Sequence, residues 1–149
     1  MKEDTSRGLM AASEDVVERS MSINSRLPAQ LEKALERNIV LRIGWTTSGD
    51  PVPKNGELGL CPQLPKGARI RSLGTLGPFT AAFGKGGTFT HQGDCGSFLG
   101  AGNDGNTITC EREAGSNLAF GQRSGRITVL DGVDDDAGAM MSGGLVVIR

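Results

Sequence analysis

Apolar and polar positions in the second half of this chain recur every nineteen residues, in unbroken register from Ile70 to the last residue. Ile70, Phe89, Ile108, Ile127 and Val146 form one column, every member apolar and either β-branched or aromatic. Two residues further on lies the column Ser72, His91, Cys110, Val129 and Ile148, and between the two run Arg71, Thr90, Thr109, Thr128 and Val147. Apolar, polar, apolar at period two is the pattern of a strand with one buried face. A unit this short buries nothing alone and must stack on its neighbours, so the pattern predicts a β-solenoid.

The remaining columns assign the parts of each coil. Gly87, Asn106, Gly125 and Gly144, with Ala68 before them, are expected to mark a turn of positive φ ahead of each strand. Leu76, Cys95, Ala114 and Val133 are inward positions of graded size, followed by a second bend at Gly77, Gly96 and Gly115. Ala81, Gly100, Ala119 and Gly138 are tiny, as expected where stacked backbones crowd. Phe79 lies beneath Phe98 as an aromatic pair, and that column turns polar at Asn117 and Asp136. Four to five coils at the inter-strand spacing make a prism roughly 20–24 Å tall.

Before the repeat the periodicity is helical. Ser13 is placed to cap a short helix through Glu14, Asp15, Val16, Val17 and Glu18, with acids in its first turn. A second helix is predicted over 27–38, with Pro28 in its first turn, an apolar stripe of Leu27, Leu31, Ala34 and Leu35, and Asn38 as terminator. Glu32, Lys33, Glu36 and Arg37 make its solvated face. Residues 40–45 read as a strand. Residues 46–66, with Pro51, Pro53, Pro62 and Pro65, read as a connecting loop holding at most one short strand. The expected organisation is a polar, partly helical arm over 1–25, a lead-in over 26–66 and a β-helix repeat domain over 67–149. The fold class is mainly β: a single-stranded right-handed β-helix of nineteen-residue coils behind a short helical segment.

Composition narrows the partners. Lys+Arg 16 against Asp+Glu 17 leaves a net charge of -1, which gives no electrostatic case for nucleic acid or an acidic membrane. Aromatic residues are only 4%, so no base-stacking platform is expected either. Glycine, at 23 residues, is about twice its usual share and signals tight turns. Nothing resembles a secretory leader or a membrane span, and a cytoplasmic setting is expected. Cys61, Cys95 and Cys110 lack the paired spacing of a zinc site and read as reduced, small apolar side chains.

Several chemical motifs are imitated by the repeat. Gly100, Gly102 and Gly105 fit the dinucleotide fingerprint, but a strand rather than a helix is expected to follow. Gly84-Lys85-Gly86 lacks the spacing and the hydroxyl of a phosphate loop. Asp131, Asp134, Asp135 and Asp136 could attract calcium, yet such acids fall in a single coil, so a solvated bend is expected. His91, the sole histidine, has no nucleophile signature beside it and reads as a hydrogen-bonded wall residue. No catalytic, cofactor-binding or metal-binding residue is assigned.

With these columns in place, the run through Leu64, Pro65, Ile70, Gly74, Gly77, Phe79, Gly93, Asp94, Cys95, Gly96, Gly100 and Gly102 to Ser142, Gly143 and Gly144 resembles the GxGxG β-helix domain family. That family includes the C-terminal domain of the glutamate synthase large subunit and the β-helix subunit of formylmethanofuran dehydrogenase. The likeness covers roughly 26–149. Where the glutamate synthase lead-in carries an Asn-Thr-Asp/Asn-Arg segment, residues 45–51 here contain no arginine. The resemblance implies a non-catalytic scaffold with no cofactor of its own, whose partners are other subunits of a glutamate-synthase-like oxidoreductase or amidotransferase complex, or copies of itself. The charge balance above leads to the expectation of neither nucleic acid nor membrane as partner. Two other functions are weighed beside it: a small hydrolase using His91 or an acid of the 134–136 bend as base, and a self-assembling interaction module. The chain stops directly after a strand, so an uncovered last coil is expected to offer an open edge.

Overall fold

A computed structural model of the chain describes residues 13–45 and 52–149. One helix, α1 (Glu14–Arg37), leads into β1 (Leu41–Ile43), β2 (Arg69–Leu73), β3 (Thr88–Gln92), β4 (Asp104–Cys110), β5 (Ser124–Val129) and β6 (Leu145–Ile148). The six strands pair in parallel in chain order. Each strand lies on the one before it, and the chain winds into a right-handed parallel β-solenoid. Ile70 lies on Phe89, Phe89 on Ile108, Ile108 on Ile127 and Ile127 on Val146, as the nineteen-residue spacing predicts. Phe89, Ile108 and Ile127 are completely buried, whereas Thr90, Thr109 and Thr128 between the apolar columns are half-buried on the outer face.

The segment expected as a connecting loop is itself a coil. Residues 46–51 lie outside the described residues. Beyond them the amides of Gly56, Gly59 and Gln63 donate to the carbonyls of Thr75, Pro78 and Ala82, each nineteen residues on, at 3.2, 2.8 and 2.8 Å. Glu57 bridges to Leu76. Prolines and the scarcity of β-branched residues, Val52 alone over 52–66, hide this coil in the sequence. So does its phase: Leu41 pairs with Ile70, twenty-nine residues away, so ten extra residues lie between β1 and the rest of the coil.

The helix also differs from expectation, since two predicted helices are one. Ser13 caps it and Asn38 ends it in the left-handed conformation, as expected, but Pro28 lies inside it. A proline there costs about 3 kcal/mol in an isolated helix. Packing offsets this: Val16, Ser20, Ile23, Leu27, Leu31 and Ala34 form one buried stripe running through the proline. Ile23, Leu27 and Leu31 join Ile43, Leu60 and Leu64 in the core, each contributing roughly 1.5–3 kcal/mol when fully buried. Leu35, assigned to the stripe, stays 45% exposed. Helix and first coil are tied by side chains as well. Asn24 donates to the Gly59 carbonyl at 2.8 Å and accepts from the Cys61 amide at 3.0 Å.

Two column assignments need correction. The positive φ ahead of the strands is found at Gly125 and Gly144, but one residue earlier than expected, at Gly86 and Gly105, in the preceding coils. A bulge between Asp104 and Thr107 shifts the register between them. Asn106 instead turns inward, its Oδ1 accepting from the amides of Gly86 and Gly87 at 3.2 and 2.8 Å. Crowding of stacked backbones belongs to the second bend, where a Cβ on Gly77 would lie 2.2 Å from the Gly56 carbonyl oxygen. The tiny column faces the coil interior. A Cβ on Gly100 would lie 2.4 Å from Cδ1 of Ile127.

Candidate functional site

His91 is fully buried with both ring nitrogens engaged. The Gly74 carbonyl can only accept, so Nε2 carries the proton and donates to it at 2.8 Å, leaving Nδ1 to accept from the Ser72 hydroxyl at 2.6 Å. Burial lowers its pKa, against the opposing pull of the Gly74 carbonyl and of Asp94 and Glu111. The ring lies parallel to Phe89 at 6.4 Å. This is a neutral wall residue.

The thiols are equally inward. Cys61, Cys95 and Cys110 are free and buried. Burial pushes Cys61 up to about 12, and the hydrogen bond to Cys110 together with burial holds Cys95 well above the ordinary thiol range. No thiolate is available at neutral pH from either. Asp131, Asp134, Asp135 and Asp136 are exposed, and Asp131 pairs with Arg112 at 3.4 Å. Among the described residues no group of three or more His, Cys, Asp or Glu converges to hold a metal. After Gly100, Gly102 and Gly105 the chain continues as β4, so no helix N-terminus faces that turn to receive a pyrophosphate. Gly84-Lys85-Gly86 forms a coil corner packed on the Asn106 amide.

The structure gathers a different set of residues on the turn side of the coils. There every second residue takes the left-handed conformation: Phe79, Ala81 and Phe83 in one coil, Phe98, Gly100 and Gly102 in the next. Amides of this segment reach the coils above and below in alternation. Phe98 donates to the Ser116 carbonyl at 2.8 Å and Gly100 to the Thr80 carbonyl at 2.9 Å. Side chains therefore alternate too, with Ala81 completely buried while Phe79 and Phe83 face out. Four of the five phenylalanines meet on this face, and only Phe89 belongs to the core.

Phe79 and Phe98 stack in parallel at 4.6 Å, as their shared column predicts, and Phe120 meets Phe98 edge-on at 5.6 Å. Phe83 lies over Gly102, where a Cβ would come within 2.5 Å of its ring. The rings enclose an open groove of about 580 Å³, rimmed by Lys85, Asp104 and Arg123. Those three also stand nineteen residues apart. The overall aromatic share says nothing of this surface, because four of the few rings cluster on one face. The legible signal was Phe79 and Phe83 four residues apart beside Phe98, once the turn side is known to alternate inward and outward.

The chain matches no protein-family model, no curated protein and no solved structure. Fold and site define its class: a parallel β-solenoid whose histidine and cysteines are built into the wall and four of whose five phenylalanines stand on its outer face. Among the described residues no helix is long and apolar enough to cross a membrane.

Proposed function

We propose that the chain is a non-catalytic structural module that holds protein components together, within an oxidoreductase or amidotransferase complex of glutamate synthase type. The observation carrying this reading is the contrast between its two kinds of special residue. His91 has no free nitrogen and the thiols are buried, while four phenylalanines are spent on a surface groove. The nineteen-residue coil with its helical lead-in supports the kinship with the glutamate synthase β-helix domain. The reading includes a reducing, cytoplasmic setting, with which three unpaired thiols agree.

Affinity capture of the full chain from native extract, with mass spectrometry of the retained polypeptides, tests it. Stoichiometric recovery of a flavin- or iron–sulfur-bearing synthase subunit, or of a glutamine amidotransferase, is expected. Recovery of neither, together with hydrolase turnover by the purified chain that His91→Ala removes, would replace the scaffold with an enzyme.

A further inference from the structure

Resting on the scaffold reading, we infer that the phenylalanine groove is the docking site for an extended segment of a partner protein, one that places an apolar anchor against the rings of Phe83, Phe98 and Phe120 and carboxylates on Lys85 and Arg123. The first argument is what the fold itself would choose. Phe79, Phe83 and Phe98 have φ of 62, 56 and 59°, a conformation that suits glycine and asparagine better than phenylalanine. Later coils carry Asn117 and Asp136 in the column of Phe79 and Phe98, and Gly102, Gly121 and then Met140 (φ 59°) in the column of Phe83, so two of the three later residues there are glycine and none is aromatic. The rings are not buried in return, since Phe79, Phe83 and Phe120 remain 42, 54 and 37% exposed. Ring stacking between coils offsets part of that strain, but it does not account for the ring area left facing solvent, whereas binding does.

Shape and charge identify the occupant. The groove is floored by Ala101, Gly102 and Gly121, and at Gly121 a Cβ would meet nothing within 4 Å, so a side chain can descend between the rings. Lys85 and Arg123 lie two coils apart, roughly 9.6 Å at the strand spacing, and among the described residues neither is in an ion pair. Asp104 between them accepts from the Ser124 hydroxyl at 3.0 Å. A rim of two cations and one engaged acid favours a segment with carboxylates flanking an apolar anchor. It disfavours a nucleic-acid strand, which needs an uninterrupted basic track, and Asp104 interrupts this one.

Fluorescence anisotropy with four labelled probes tests the inference. The probes are a capped hexapeptide with a phenylalanine–leucine pair between two aspartates, the same peptide with lysines for aspartates, the same with alanines for the apolar pair, and a twelve-residue oligothymidylate. The acidic apolar peptide should bind at least about tenfold more tightly than the other three. Phe83→Gly and Phe98→Asn install residues the fold already carries at those columns. Each should weaken binding about tenfold with the melting temperature held or raised. Lys85→Glu with Arg123→Glu should reverse the preference between the two charged peptides. Absence of binding, equal binding of acidic and basic peptides, preference for the oligonucleotide, or unchanged binding by Phe98→Asn each overturns the inference. Capture from extract separates it from the scaffold reading. A complex still recovered with the Lys85→Glu/Arg123→Glu chain removes the groove and leaves the scaffold. Peptide discrimination without any recovered complex does the opposite.

Discussion

At single positions the coil imposes two distinct demands on glycine, and they separate experimentally. Gly93 has a φ of 150°, and a Cβ there would lie 1.9 Å from the Gly74 carbonyl oxygen, which is backbone and cannot yield. Gly132 has a φ of 104° and open space around it. Gly93→Ala should cost about 3 kcal/mol or more, from overlap added to strain, whereas Gly132→Ala should cost about 1–2 kcal/mol from conformation alone. Urea denaturation of the two variants measures the difference.

His91 gives the second prediction at this scale. Its folded pKa is lowered by burial, so below the unfolded value of about 6.5 the unfolded chain takes up a proton that the folded chain refuses. The stabilisation is complete above that value and is lost as pH falls towards the folded pKa. Between pH 7.5 and 5.5 the unfolding free energy should drop by at most about 1.4 kcal/mol. As His91 is the sole histidine, His91→Gln should flatten that window. An unchanged slope in the variant would assign the effect elsewhere.

Among elements, the junction of α1 with the first coil is where charge enters the core. Glu57 occupies the column that Leu76 fills one coil later and is 1% exposed. Its carboxylate accepts from Arg19 Nε at 3.0 Å and from the Asn55 amide at 2.8 Å. Removing the partner strands a buried charge, whereas replacing the charge by an apolar side chain of similar volume removes the desolvation cost as well. Arg19→Ala should therefore destabilise by roughly 1–3 kcal/mol, discounted because Arg19 is itself 39% exposed. Glu57→Leu, alone or with Arg19→Ala, should lie within about 1 kcal/mol of the parent chain. Thermal unfolding of the three variants checks the order. Should the double variant prove the least stable, the pair holds helix to coil more strongly than its desolvation allows.

The molecule as a whole presents unlike surfaces at its two ends. α1 covers the first coil, and its buried stripe continues the core. Among the described residues β6 pairs with β5 alone, and its Leu145 and Ile148 are 51 and 44% exposed. A scaffold should remain at the single-chain mass of 15.6 kDa in light scattering across a wide concentration range and grow only when its partner is added. Growth with concentration alone would make it a self-assembling module, with like coils pairing through such an edge.

Nineteen-residue periodicity determined strands β2 to β6 and their register, the inner and outer faces of β2 to β5, the stack of Phe79 on Phe98 and the inward place of His91. Each of these depends on a residue and its equivalent one coil away, and a repeat writes that relation directly into the sequence. Tertiary structure alone decided that Pro28 lies inside a continuous helix, that residues 52–66 complete a coil, that Glu57 is paired with Arg19, and that Phe83 and Phe120, from different columns, share one groove. Those outcomes turn on packing between segments that have no fixed spacing in the chain. There burial energy outweighs local preference, and no period along the sequence records the result.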